Sequence, residues 1–202
     1  MKKSLLTLSL LMAFGAANAD TIANSTVTIL PTSSAAFSGY GQANALDNSF
    51  SSDFASAGLA ASTHLDFYFG SALNFSQIQY TDRTSSGSSN NSNAFGTRDY
   101  VTKYAYIFST NASFSDIVGT VTIDVTVPSL PSLTSFTHTD AIPSITAQYV
   151  RWQVLAANGV NPGAANFQFT ATPVPEPEIY AMLLAGLGLM GTIARRRKSQ
   201  KA

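Results

Sequence analysis

The stretch Gln148-Tyr-Val-Arg-Trp-Gln-Val-Leu155 places Val150, Trp152 and Val154 on one face of an extended chain and polar groups on the other. This period of two is typical of a strand with one buried face, so we expect Trp152 in the core rather than on a sugar-binding surface. Full or near alternation recurs in six further stretches, at 25–30, 64–69, 75–80, 100–109, 120–127 and 166–170. Turn-rich segments separate them, which predicts seven or eight short strands in an antiparallel sandwich or barrel.

The charges of the chain exclude several classes of partner. The 202 residues include no cysteine, which rules out disulfides, thiol catalysis and cysteine-ligated zinc. Between 20 and 172 every acidic residue is Asp, and the basic residues are only Arg83, Arg98, Lys103 and Arg151. This mildly acidic segment is a poor partner for nucleic acid or for an anionic membrane.

The amino terminus has the pattern of a secretory signal peptide. Met1-Lys-Lys precedes an apolar run from Leu5 to Ala17, and Ala17-Asn-Ala19 follows. Such a pattern predicts a signal peptide over 1–19, which signal peptidase cuts between Ala19 and Asp20.

The carboxyl terminus combines a proline-rich acidic segment, an apolar run and a basic cluster. Pro175, Glu176 and Pro177 prevent helix formation upstream of an apolar helix predicted at about 179–194. That length falls slightly short of the roughly 20 residues that cross a bilayer comfortably. The basic cluster Arg195, Arg196, Arg197 predicts a cytoplasmic end, with the rest of the chain outside. A helix packed in a soluble core is the alternative interpretation.

The carboxyl-terminal pattern resembles the PEP-CTERM sorting signal. The resemblance implies that a membrane-embedded exosortase recognises Pro175, Glu176 and Pro177, cuts near them and passes the remaining protein to the cell exterior. It divides the chain into a signal peptide (1–19), an ectodomain (20–172) and a sorting tail (173–202). We expect transient attachment to the inner membrane through the tail helix alone, and a final location at the cell surface or in the extracellular matrix.

The ectodomain resembles discoidin-type, galactose-binding-like domains. The resemblance rests on Ala43-Asn-Ala-Leu-Asp47-Asn48 followed by Ser51 to Phe54, on His64 to Gly70 with Ile78-Gln-Tyr80, on Arg98 to Ala112, and on Ala147 to Val154 with Asn166 to Phe169. It implies an all-β, jelly-roll sandwich. Phe54 stands where Trp is usual, Asn48 where Gly is common, and Asn166 where Glu often occurs.

The same resemblance implies a calcium site between the opening loop and the last strand. Its ligands would be Asp47, carbonyl groups around Asn48 to Ser52, and Asn166. Hard oxygen ligands suit calcium, although the neutral amide of Asn166 would lower the affinity.

The resemblance also implies that three loops share one end of the sandwich, after Ser38, around Asn48 to Ala57, and from Arg83 to Arg98. Tyr40, Phe54, Arg83 and Arg98 are the candidate ligand-binding residues, because a sugar needs an aromatic face and hydrogen-bonding groups. We therefore predict non-catalytic binding to extracellular polysaccharide. A structural role in a matrix or surface coat is the alternative.

A hydrolase is the third hypothesis, and the sequence offers little for it. No Gly-x-Ser-x-Gly elbow and no prominent pair of carboxylates is present. His64 with Asp66 could bind a metal, but a hydrogen-bonded histidine on a strand edge is the favoured interpretation. His138 and Asp140 are expected in a polar loop.

Overall fold

The computed structural model describes residues 19–83, 99–126, 137–174 and 184–191. Eight strands lie in these ranges: β1 (Asp20–Thr21), β2 (Thr28–Ile29), β3 (Phe54–Ala55), β4 (His64–Asp82), β5 (Tyr100–Ser109), β6 (Ile117–Asp124), β7 (Thr137–Asn158) and β8 (Gly163–Pro173). Short 3-10 helices at Asn24–Thr26, Gln42–Leu46 and Ala60–Ser62 interrupt the loops. Every stretch that was predicted to be a strand overlaps one of the eight.

All strand pairs are antiparallel. The order is β1-β8-β4-β7-β5-β6, with β2 beside β4 and β3 beside β8. Two predicted strands, 64–69 and 75–80, form one continuous β4 of 19 residues. The register of β4 against β7 shifts between Tyr68 and Leu73. Gly70 lies in this irregularity with φ of +75°, a backbone conformation that glycine adopts without strain.

Aromatic side chains form much of the core of the sandwich. Trp152 on β7 contacts Phe167 on β8 with ring centroids 5.5 Å apart, and Phe75 on β4 contacts Phe108 on β5 at 5.6 Å. Neither contact joins strands that are hydrogen-bonded neighbours, so these rings, inclined to each other by 68° and 52°, pack across the interior of the sandwich. The prediction that Trp152 belongs to the core is confirmed, since its side chain is fully buried. In a domain without disulfides this aromatic core supplies the main favourable free energy of folding.

The sequence-based assignment of His138 and Asp140 to a polar loop was wrong, because β7 begins at Thr137. Asp140 occupies a buried position of the strand, where its Oδ2 accepts hydrogen bonds from the hydroxyl groups of Tyr104 (2.6 Å) and Tyr106 (2.9 Å). Because a carboxylate occupies this core-facing position, the sequence here lacks the alternation of apolar and polar residues that identifies a strand.

Both described termini of the sandwich lie at the same end of the fold. β1 pairs with the end of β8, with Asp20 opposite Ala171. The 11 residues of β8 then span about 35 Å to Gly163 at the other end. Ala19 and Asp20 are exposed, whereas residues 1–18 of the predicted signal peptide lie outside the described ranges.

Of the predicted apolar helix at about 179–194, residues 184–191 are described, and they are helical. Within the described parts of the chain, no helix has the length and hydrophobicity that crossing a membrane requires.

Candidate functional site

Loops from distant parts of the chain meet at the end of the sandwich where β8 begins. We call this region, formed by residues 36–46, 49–62, Arg83, Asp99 and 159–162, the loop end. Main-chain hydrogen bonds connect the loops: Phe37 N donates to Ala55 O (2.7 Å), Ser56 N to Pro162 O (3.0 Å) and Ala60 N to Val160 O (2.9 Å). The loop end is therefore a fixed surface rather than a set of independent loops.

Arg83 is the centre of the loop end. Its Nε donates to Asp53 Oδ2 (2.9 Å), and its Nη1 donates to Asn161 O (2.7 Å) and Asp99 Oδ2 (3.3 Å). The guanidinium carbon also lies 5.1 Å from the centroid of the Tyr40 ring. Charge-assisted hydrogen bonds and a cation–π contact thus fix one cation among four segments.

Two carboxyl groups beneath Arg83 have raised pKa values. Burial raises the pKa of Asp53, although the charge of Arg83 opposes the shift. Burial raises the pKa of Asp82 to about 7, against the hydrogen bonds that its carboxylate accepts from Arg83 N, Tyr80 Oη and Val101 N. Near neutral pH the charge under the loop end therefore depends on pH.

Four large apolar side chains of the loop end are exposed to solvent. Phe37, Phe50, Leu59 and Val160 are 48%, 56%, 37% and 57% exposed. The Phe37 ring lies 6.2 Å from the ring of half-buried Tyr40. None of these four residues is among the predicted ligand-binding residues. The one feature of the sequence that could have identified them is their position in turn-rich segments close to the predicted ligand-binding residues.

The structure separates the four candidate ligand-binding residues. Tyr40 and Arg83 are in contact at the loop end, as the resemblance implies. Phe54 is fully buried on β3, opposite Ala164, so the expectation that its ring offers a face to a sugar requires correction. Its ring belongs to the hydrophobic core, because β3 pairs with β8. Arg98 lies outside the described residues.

The candidate calcium ligands converge only in part. The amide Nδ2 of buried Asn24 donates to Asn48 Oδ1 (3.0 Å), Asn166 Oδ1 (3.3 Å) and Phe167 O (2.9 Å). The Asp47 carboxylate instead accepts from Ser49 N (2.8 Å) and Ser52 Oγ (2.5 Å) in its own loop. A cation would need the position between the oxygens that the Asn24 nitrogen occupies, so this arrangement does not fit calcium.

The remaining histidine and carboxylate candidates are engaged in structural contacts. His64 Nε2 lies 2.8 Å from Thr32 O, and its Nδ1 lies 3.2 Å from Ser34 Oγ. Buried Asp66 accepts two hydrogen bonds from Arg151, at 2.6 and 2.8 Å. In the part of the chain that the structure describes, no three His, Cys, Asp or Glu residues are grouped as a metal site requires.

Comparison with known proteins adds a sorting motif and a fold. Residues 173–198 match the PEP-CTERM protein-sorting motif. That motif implies export and membrane anchoring at the carboxyl terminus. No curated protein matches the sequence.

Similar solved structures are carbohydrate-binding modules of family 32. The module of Clostridium perfringens NanJ, solved with galactose, is 17% identical with a TM-score of 0.55, and the match covers 76% of this chain and 99% of that one. A module from a C. perfringens family 31 glycoside hydrolase is 19% identical with a TM-score of 0.55, over 75% and 95% of the two chains. A C. perfringens module solved with GalNAc-β-1,3-galactose is 16% identical with a TM-score of 0.54, over 74% and 99%. At such identities the similarity establishes the discoidin-like, jelly-roll fold. These modules are non-catalytic, although some are parts of enzymes.

Proposed function

We propose that this chain is an exported, exosortase-sorted protein whose sandwich binds extracellular polysaccharide at the loop end and catalyses no reaction. The observation that carries the proposal is the contact between Arg83 and Tyr40, with Arg83 held by Asp53, Asp99 and the Asn161 carbonyl.

This arrangement has the chemistry that a sugar needs. The Tyr40 ring and its neighbour Phe37 offer apolar surface for the C–H face of a pyranose. Carboxylates, carbonyls and the guanidinium edge offer acceptors and donors for hydroxyl groups. Because the network already fixes the Arg83 side chain, binding costs little of its conformational entropy.

The position of the loop end suits a protein that is displayed from its tail. The matched sorting motif starts at Pro173, where β8 ends, and the loop end lies about 35 Å away at the start of the same strand. While the tail holds the precursor at the inner membrane, the loop end is at the far end of the sandwich. We propose that signal peptidase cuts after Ala19, that exosortase recognises Pro175, Glu176 and Pro177, and that the product reaches the cell surface or matrix.

A structural role in a surface coat is the second candidate function. The exposed side chains of Phe37, Phe50, Leu59 and Val160 could equally contact protein. Under this alternative the loop end contacts another matrix protein or a second copy, and the protein has no glycan ligand.

Affinity electrophoresis through the producer's own exopolysaccharide separates the two functions. We expect the polysaccharide to retard the wild-type chain and to retard the Tyr40→Ala variant about tenfold less strongly, because an aromatic stacking contact contributes about 1.4 kcal/mol. A glycan array would then identify the sugar.

Tyr149→Ala is the matched control, since Tyr149 is also a half-buried tyrosine but stacks on Tyr68, with ring centroids 5.1 Å apart, outside the loop end. Its retardation should equal that of the wild type. Equal migration of all three chains, together with self-association of the wild type in sedimentation, would favour the coat function.

A further inference from the structure

The junction of Asn24, Asn48, Asn166 and Phe167 joins three separate parts of the chain through one amide group. Asn24 lies in the short helix after β1, Asn48 in the loop before β3, and Asn166 and Phe167 on β8. We call it the amide junction. Its oxygens lie 2.9 to 3.3 Å from Asn24 Nδ2.

Those distances are longer than the 2.3 to 2.6 Å of calcium–oxygen bonds, and they are typical of hydrogen bonds from an amide. The nitrogen carries two hydrogens for three acceptors, so one hydrogen is shared. Asn48 and Asn166 are neutral, so no negative charge is left for a cation to balance. Asp47, the one acidic residue among the predicted ligands, hydrogen-bonds within its own loop.

The orientation of the Asn24 amide determines what the junction can hold. With the nitrogen inward, the three oxygens receive a proton donor. With the amide turned over, four oxygens would face one another without a hydrogen, and only a cation would stabilise them. The same side chain therefore cannot close the junction and leave room for an ion.

We infer that the Asn24 amide takes the place of a metal ion and fastens the opening loop to the last strand without calcium. The backbone of Asn48 supports this role. Its φ of +59° lies in the left-handed region, which asparagine tolerates, and its side-chain oxygen accepts the hydrogen bond from Asn24. The junction thereby connects the opening loop to the last strand of a cysteine-free exported domain, and this connection does not depend on the calcium concentration outside the cell.

The test compares melting temperatures of the full chain, purified in mild detergent, in millimolar calcium chloride and in excess EGTA. The wild type should melt at the same temperature in both, within about 1 °C, whereas a bound ion at a concentration far above its Kd would raise it by several degrees. A wild-type increase of about 4 °C or more in calcium would overturn the inference.

Asn24→Asp sharpens the test, because it replaces the donor nitrogen by a charged oxygen in the same space. We expect the melting temperature of this variant in EGTA to be lower than that of the wild type by about 5 °C or more. Calcium should restore at least half of this difference. Asn44→Asp is the matched control, since it also removes an amide that donates to a carbonyl (Asp53 O, 2.9 Å) but has one oxygen rather than three around it. It should lose stability without a calcium response.

A calcium response of Asn44→Asp equal to that of Asn24→Asp would contradict the assignment to the junction. If Asn24→Asp does not fold, calorimetric titration of the wild-type chain with calcium chloride decides: no heat of binding supports the inference, and saturable binding overturns it.

Discussion

The loop end and the amide junction both join distant segments through buried polar groups, but only the loop end uses charge. Arg83 lies among Asp53, Asp99 and Asp82, and burial raises the pKa values of Asp53 and Asp82. Asn24, Asn48 and Asn166 are neutral at every pH. Hydrogen bonds between neutral amides are sufficient to hold a loop in place. Buried charged groups cost free energy, and groups with shifted pKa values are typical of ligand-binding and catalytic sites. This difference supports the proposal that the loop end recognises a ligand, whereas the amide junction holds the fold together.

The largest expected effect is at the charged centre. Arg83→Ala leaves Asp53 buried without its partner, which should lower the free energy of unfolding by about 3 to 5 kcal/mol. Chemical denaturation measures the change. Lys103→Ala is the control, because Lys103 pairs with exposed Asp124 at 3.0 Å and should change stability by less than about 1 kcal/mol. Similar losses in both variants would show that the loop end is no different from a surface ion pair.

The second prediction concerns pH. Folded Asp82 keeps its proton up to a pH of about 7, whereas the unfolded chain releases it near 4. The folded state binds more protons between these values, so stability falls as pH rises from about 4 to about 7, by on the order of 3 kcal/mol, and then levels off. Asp82→Asn should lack this fall. If urea denaturation gives the same dependence of stability on pH for wild type and variant, the fall in stability does not come from Asp82.

At the amide junction the corresponding effect is smaller and independent of pH. Asn24→Ala leaves the buried oxygens of Asn166 and Phe167 without their donor, which should cost about 2 kcal/mol. Asn74→Ala removes only a hydrogen bond with exposed Ser144 and should cost less than about 0.5 kcal/mol. If the stability difference between wild type and Asn24→Ala changes between pH 5 and 8, the two regions do not differ in the way described.

The smallest expected effect on stability is that of Tyr40→Ala. Tyr40 is half-buried above Arg83, so the variant should lose about 1 kcal/mol of stability or less while its polysaccharide binding falls about tenfold. Parallel denaturation and affinity electrophoresis check the prediction. A fall in binding that merely follows a large loss of stability would assign Tyr40 to the structural network.

The sequence predicted the fold well because burial of one strand face leaves a direct periodic trace. Val150, Trp152 and Val154 show it, and so does the stretch 100–109, which matches β5 residue for residue. The prediction failed at Asp140 because a carboxylate that accepts tyrosine hydroxyls can occupy a core position. It split β4 because the irregular residues around Gly70 interrupt the alternation, although the strand continues.

The candidate site was only partly predictable, because it depends on contacts between residues far apart in sequence. The resemblance brought Tyr40 and Arg83 to the same end, but no local pattern pairs Arg83 with Asp53 or with the carbonyl of Asn161. Phe54 occupies the place of a tryptophan in the motif, and its burial follows from the pairing of β3 with β8. The contact of Asn24 with Asn166, 142 residues apart, likewise has no sequence signature.

Hydrogen–deuterium exchange with and without the producer's exopolysaccharide tests most directly whether recognition is confined to the loop end. Slower exchange is expected in residues 36–46, 49–62 and 159–162 when polysaccharide is present, with no change around Asn24 or at the end of β8. Protection at the end of β8, or no protection anywhere at a polysaccharide concentration that retards the protein in gels, would contradict it.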